Sequence, residues 1–185
     1  MFPDDMGPVL LPLARAAIAD RLHLPGPEVP AADWLAEPGA SFVTLHLAGR
    51  LRGCIGTLEA YRSLGEDTAA NARAAAFADP RFPALTVREY AGIEVEVSVL
   101  SALEPVPYDD EDDLLGRLRP GIDGVVLRAG RRRGTFLPQV WDQLPDPSRF
   151  LDHLRRKAGL PGNGWDPAWQ VDRYTVRRWS EQTAA

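Results

Sequence analysis

Ser41-Phe42-Val43-Thr44-Leu45-His46-Leu47, then Ala48-Gly49-Arg50, then Leu51-Arg52-Gly53-Cys54-Ile55-Gly56-Thr57-Leu58, reads as a β-hairpin. Phe42 to Leu45 carry the aromatic and branched side chains of a strand, the middle triplet supplies a turn, and Leu51 to Leu58 returns as the second strand. A chain that doubles back on itself in this way builds antiparallel sheet. The return strand also holds the only cysteine, set between two glycines and two residues after an arginine.

Working outward, the flanks alternate between helices and further strands. Leu11, Ala14, Ile18 and Leu22 recur at helical spacing, so residues 8–22 form an amphipathic helix, broken by Pro25 to Pro30. Ser63-Leu64-Gly65-Glu66 matches a capping box and introduces an alanine-rich helix over 67–78. Asp79-Pro80 ends that helix, because the residue before proline avoids the α region. Ile93, Val95, Val97 and Val99 alternate with Glu94, Glu96 and Ser98, the period of a strand.

Further on, Leu114, Leu115 and Leu118 predict a short helix behind the acidic loop 109–113. Gly124 to Arg128 and Thr135 to Leu137 predict two short strands around a glycine-bounded turn. Asp146-Pro147 starts a helix with the apolar stripe Phe150, Leu151, Leu154 and Ala158, and Gly159 with Pro161 closes it. Trp169 to Trp179 reads as one last strand. Hairpins and helices without regular βαβ alternation define an α+β fold with a mainly antiparallel sheet flanked by helices. With neither repeat nor linker, the chain fits one domain, or one domain with two lobes, over 8–180, with 1–7 and 181–185 as flexible termini.

A net charge of −5 argues against broad attraction to nucleic acid or anionic membrane. A single cysteine excludes an internal disulfide and fits a reducing compartment. Asp4 and Asp5 stand where a signal peptide needs positive charge, and charges or prolines interrupt every apolar run. The expected location is the cytoplasm.

Chemistry centres on the return strand. Residues two apart on a strand leave the same face, so Arg52 and Cys54 are expected side by side, and a cation beside a thiol favours the nucleophilic thiolate. Gly53 and Gly56 would let a ligand approach the backbone. One reading makes Cys54 a nucleophile or substrate anchor, with Arg52 holding an anionic group. The other makes the thiol a small hydrophobe packed in a tight hairpin. A two-residue turn would put His46 on the opposite face from Cys54, with Phe42, Thr44, Leu51 and Ile55, so no Cys54–His46 dyad is expected.

Asp79-Pro80-Arg81-Phe82 admits two readings as well. Arg81 could hold an anion with Asp79 orienting it, or the segment could be a helix stop fixed by an Asp–Arg pair. Glu94 and Glu96 share a strand face, as paired acid–base carboxylates do, but half-solvated sheet alone requires that alternation. Three scattered histidines and one cysteine form no metal-ligand pattern, and no phosphate loop, dinucleotide fingerprint or Ser–His–Asp context is present.

Four segments, in order and spacing, resemble the AMMECR domain family. They are Leu51-Arg52-Gly53-Cys54-Ile55-Gly56-Thr57, Ala75-Ala76-Phe77-Ala78-Asp79-Pro80-Arg81-Phe82, Thr135-Phe136-Leu137-Pro138-Gln139-Val140-Trp141, and Phe150-Leu151 with Lys157-Ala158-Gly159-Leu160. The resemblance implies a two-lobed α+β fold over roughly residues 8 to 178. It also implies company: prokaryotic members are similar to one component of a three-protein set with a Memo-like protein and a radical-SAM enzyme. It supplies no settled reaction and no cofactor. The functional expectation is a ligand or active site at Leu51 to Gly56, either in a cysteine-dependent enzyme or in a non-catalytic interaction or small-ligand module.

Overall fold

The computed structural model describes residues 3–161 and 165–181. The chain is α+β and separates into two compact units, Met1–Leu100 with Arg177–Ala185, and Ser101–Val176.

In the first unit, α1 (Gly7–Arg21) precedes β1 (Ser41–Leu47) and β2 (Arg50–Gly56), followed by α2 (Leu64–Phe77), a single turn α3 (Val87–Tyr90) and β3 (Ile93–Leu100). The sheet order is β2-β1-β3-β8, with β8 (Val176–Ser180) arriving from the chain's end and β2 on one edge. β1 pairs antiparallel with both β2 and β3. Val43, Leu45, Val95 and Val97 are buried on one face of the sheet, in a core shared with Leu10, Ala14 and Ile18 of α1 and Ala72, Ala75 and Ala76 of α2. The alanines let α2 lie close, as their small side chains require little separation. The capping box is present: Ser63 accepts from the Glu66 amide, and Glu66 accepts from the Ser63 amide.

The second unit contains β4 (Glu104–Pro105), α4 (Glu111–Arg117), β5 (Gly124–Ala129), β6 (Arg132–Phe136), α5 (Pro147–Lys157) and β7 (Gln170–Tyr174). Its sheet runs β4-β7-β5-β6 with antiparallel pairing. Leu114, Val125, Leu127, Leu151 and Leu154 form its core, and Trp141 stacks on Phe150 at 3.7 Å between ring centroids. Asp146 caps α5 by accepting from the Arg149 amide at 2.9 Å.

Three elements differ from the sequence reading. The acidic run expected as a loop forms the first turn of α4, with Asp110 as its cap, because carboxylates suit a helix N-terminus. The single strand expected over 169–179 is two strands in different sheets, divided at Thr175, whose backbone bonds to Ser101 on both its N–H and C=O. The hairpin turn is two residues, Ala48-Gly49, with Arg50 already paired in β2, and β2 bulges just after it. Of the ends expected to be flexible, 1–2 and 182–185 lie outside the described residues. Met6 is buried in the core, and the Glu181 carboxylate binds Arg15 and the Val95 amide.

Candidate functional site

The bulge decides which side chains meet at the hairpin. Thr44 faces Cys54 and Leu45 faces Gly53, but His46 faces Leu51, so Arg52 is the extra residue. An inserted residue resets alternation along the bulged strand. Cys54 therefore shares the solvent-side face with Thr44 and, one step along β1, with His46. The expectation that His46 and Thr44 lie opposite Cys54 fails for this reason.

Arg52 and Cys54 do not share a face either. Arg52 is buried, its side chain 9% exposed, and its Nε and Nη2 donate to the two carboxylate oxygens of Glu89 on α3 at 2.9 and 3.2 Å. Glu89 also accepts from the Thr86 amide and hydroxyl. Together these donors, Arg52 first, bring the Glu89 carboxyl down to about 2. The arginine is committed to fastening β2 onto α3.

Cys54 is half-buried. Its sulfur accepts from the Thr44 hydroxyl at 3.2 Å. Directly opposed side chains sit closest at a non-hydrogen-bonded antiparallel pair, where the backbone groups point away from the partner strand. Those outward groups of Cys54 are both taken. The amide donates to Asp79 Oδ2 at 2.9 Å, and the carbonyl accepts from Arg81 Nη2 at 3.2 Å.

The segment after α2 builds this clamp. Asp79-Pro80-Arg81-Phe82 is a turn closed by Phe82 N–H to Asp79 C=O at 3.1 Å, with proline at its favoured second position. Asp79 Oδ1 accepts from the Arg81 amide and Nε, and Oδ2 accepts from Arg81 Nη2. Asp79 is almost fully buried, while the Arg81 side chain stays 53% exposed. The Arg81 guanidinium, with the amides of Cys54 and Arg81, holds the Asp79 carboxyl far below the usual carboxylate range. Asp79 in turn raises Arg81 above its ordinary value. Arg81 and Arg52 both lie against the Phe82 ring, at 5.5 and 6.0 Å from its centroid. The segment is the helix stop of the second sequence reading, fixed by an Asp79–Arg81 ion pair that covers the edge of β2 at the cysteine.

The glycines serve packing rather than access. A Cβ on Gly53 would lie 2.1 Å from the Ala75 carbonyl oxygen of α2, and one on Gly56 would lie 2.2 Å from the Phe42 ring. The space expected to admit a ligand beside each backbone is filled by the protein itself.

Glu94 and Glu96 stand on the same face of β3, opposite His46 and Thr44. Glu96 lies 3.8 Å from Arg178 of β8. A row of polar groups thus crosses the sheet: Cys54, Thr44, Glu96, Arg178. Glu94, Glu96 and His46 line a small cavity of about 240 Å³. Among the described residues, no three His, Cys, Asp or Glu side chains converge in a way that could hold a metal ion.

Sequence reasoning missed the Asp67 network. This fully buried carboxylate accepts from the Ser41 amide and hydroxyl, each at 2.7 Å, from Thr57 Oγ1 and from Arg62 Nε. Asn71 Nδ2 donates to it and to the Ser41 carbonyl. The start of β1 and the chain leaving β2 are thereby tied to α2. The available signal was Asp67 and Asn71 four apart in an alanine-rich helix, which puts two polar groups on one face.

Fold and site together define an α+β protein of two antiparallel sheets, with a thiol displayed on a clamped sheet edge. The AMMECR1 family profile matches residues 11–179, and the chain belongs to that family. It is 37% identical to a protein of Methanothermobacter thermautotrophicus over 96% of this chain and 95% of that one. It is 40% identical to a protein of Thermofilum pendens over 86% of this chain and 81% of that one. The crystal structure of the uncharacterized protein PH0010 from Pyrococcus horikoshii superposes with a TM-score of 0.81, at 34% identity, covering 98% of this chain and 94% of that one. Among the described residues, no helix is long and apolar enough to cross a membrane.

Proposed function

We propose that the polar face of the first sheet is the working surface of this protein and that Cys54 is its reactive atom. The observation that carries this reading is the combination at one residue. Cys54 is half-buried with its thiol beside the Thr44 hydroxyl, while both backbone groups of the same residue are pinned by Asp79 and Arg81. A nucleophile works best when held in one geometry. The exposed part of the Arg81 guanidinium supplies a fixed positive charge for an anionic group of a substrate. His46, on the same face, is a candidate to move a proton. In this reading Asp79 is a positioning residue, and Arg52, proposed from sequence for the anion, is replaced in that role by Arg81.

The setting proposed for this chemistry is a reducing cytoplasm, in company with a Memo-like protein and a radical-SAM enzyme. A second reading, a non-catalytic binding module, is favoured by the commitment of Arg52, Gly53 and Gly56 to the fold itself. Replacing Cys54 by Ala in the native host separates the two. The enzyme reading expects loss of the wild-type protein's complementation with folding and partner binding intact. Full complementation by Cys54→Ala contradicts it and supports the module.

A further inference from the structure

The second unit gathers positive charge that the Cys54 reading does not use. The pieces come from two places in the sequence. The β5–β6 hairpin closes with the pair Ala129 and Arg132, so Gly130 and Arg131 form its two-residue tip. The last turn of α5 supplies Arg155, Arg156 and Lys157. Gly134 lets the end of α5 rest on β6, since a Cβ there would lie 3.0 Å from the Leu154 carbonyl oxygen and from the Ala158 Cβ. Across this seam Arg132 Nη1 donates to the Gly159 carbonyl at 2.7 Å, and Lys157 Nζ donates to the Thr135 carbonyl at 2.9 Å.

The carboxylates around the seam are already engaged. Asp172 binds Arg128, and Asp152 and Glu111 both bind Arg155. Arg131, Arg132, Arg156 and Lys157 are exposed, and among the described residues none of the four has a carboxylate partner. Bonds to carbonyls orient Arg132 and Lys157 without neutralising them. Cations near a helix C-terminus favour its dipole, which accounts for Arg156 and Lys157. Arg131, at the hairpin tip, adds charge without that gain. Like charges held together repel one another, so the cluster on its own works against the folded state. An anion laid across it removes that cost.

The kind of anion follows from what flanks the cations. Among the described residues, the large apolar side chain exposed in the second unit is Ile122, which precedes β5 and lies at the end of that strand away from the hairpin tip. The patch therefore has neither an exposed aromatic ring for stacking nucleic-acid bases nor an apolar anchor for a membrane surface. The chain's net charge of −5 also opposes a long polyanion. A short run of carboxylates meets the four cations without that opposition.

We infer that the seam between the β5–β6 hairpin and the end of α5 docks an acidic segment of a partner protein, its carboxylates on Arg131, Arg132, Arg156 and Lys157. The surface is independent of the Cys54 reading, and neither stands or falls with the other.

A fluorescein-labelled deca-glutamate peptide, titrated with the full chain and followed by anisotropy, tests it. The peptide is expected to bind at about 20 mM salt and to lose at least about fivefold in affinity at about 200 mM. It is expected to bind more tightly than deca-glutamine or an oligouridylate of equal length. Arg131→Glu with Arg156→Glu is expected to weaken binding at least about tenfold with the thermal midpoint preserved. The neutral pair Arg131→Gln with Arg156→Gln is expected to weaken it about threefold, and serves if the reversed charges unfold the chain. Arg73→Glu with Arg88→Glu, exposed on α2 and α3, changes the net charge equally and is expected to leave binding within about twofold. Absence of salt-sensitive peptide binding, equal losses in the two reversed pairs, or tighter binding of oligouridylate through Arg131 and Arg156 overturns the inference. Self-association at low salt that Arg131→Glu with Arg156→Glu abolishes identifies the acidic start of α4 in a second copy as the occupant and overturns it too.

Discussion

The Cys54 amide donates to Asp79 Oδ2 at 2.9 Å, and the carboxylate that receives it also holds Arg81, whose guanidinium returns to the Cys54 carbonyl. One buried carboxylate thereby closes a ring around a single residue of an edge strand. It also stops another chain from pairing with β2 at that point, as exposed strand edges invite.

Removing that carboxylate should be costly. Asp79→Ala leaves the Cys54 N–H and the Arg81 guanidinium without their acceptor. We expect a loss of about 2–4 kcal/mol in urea unfolding, the range for breaking a buried hydrogen-bonded charge pair. A loss below about 0.5 kcal/mol would mean the clamp carries no stability, as many exposed ion pairs do not.

Acid should expose the same dependence. The folded-state carboxyl of Asp79 lies far below its ordinary value, and that of Glu89 lies at about 2. A depressed folded pKa gives stability that is full above the unfolded value, near about 4, and is lost as pH falls through the folded one. Stability should therefore be level above about pH 5 and fall between about pH 4 and pH 2. Glu89→Gln and Asp79→Asn should each flatten that limb, in unfolding midpoints measured across the range. An acid limb identical to wild type in both variants would contradict the assignment.

The two motif glycines should respond differently to the same change. Gly53→Ala drives a methyl into the Ala75 carbonyl, part of the α2 backbone, and should cost at least about 2 kcal/mol. Gly56→Ala drives one into the Phe42 ring, a side chain that can be removed. In a double-mutant cycle with Phe42→Ala, the cost of Gly56→Ala should shrink by at least about 1 kcal/mol. Additive effects would show that the Phe42 ring does not occupy that space.

The hairpin turn offers a gain in stability. Ala48 and Gly49 both have positive φ, at 51° and 73°, the pattern of a type I′ turn. A side chain with a Cβ is strained at the first of these positions, and asparagine or glycine suits it better. Ala48→Asn or Ala48→Gly should stabilise by about 0.5–1 kcal/mol, read as a raised thermal midpoint.

Much of the fold was legible because it rests on local patterns. The Ile93–Val99 alternation, the Ser63–Glu66 capping box, the Asp146-Pro147 helix start and the Ala48-Gly49 turn all act within a few residues, and all are in place. The candidate site was legible only in part. Cys54, Asp79 and Arg81 do come together, but the bulge at Arg52 could not be seen from spacing, since one inserted residue leaves the hydrophobic pattern of the strand nearly intact. That single residue reverses which side chains face Cys54, exchanging Arg52 for Thr44 and His46. Gly53 and Gly56 looked open because sequence does not show that α2 and Phe42 press against them. Glu89, the partner of Arg52, lies 37 residues away, beyond any local signal.

The central claim is that the Cys54 thiol meets solvent in the native fold. The direct measurement is the rate of Cys54 alkylation by iodoacetamide, followed by mass spectrometry in folded and in urea-denatured protein at the same pH. The account predicts that the folded protein reacts at a rate within about tenfold of the denatured chain, as an accessible thiol does. A thiol that stays unmodified until the protein unfolds would contradict it.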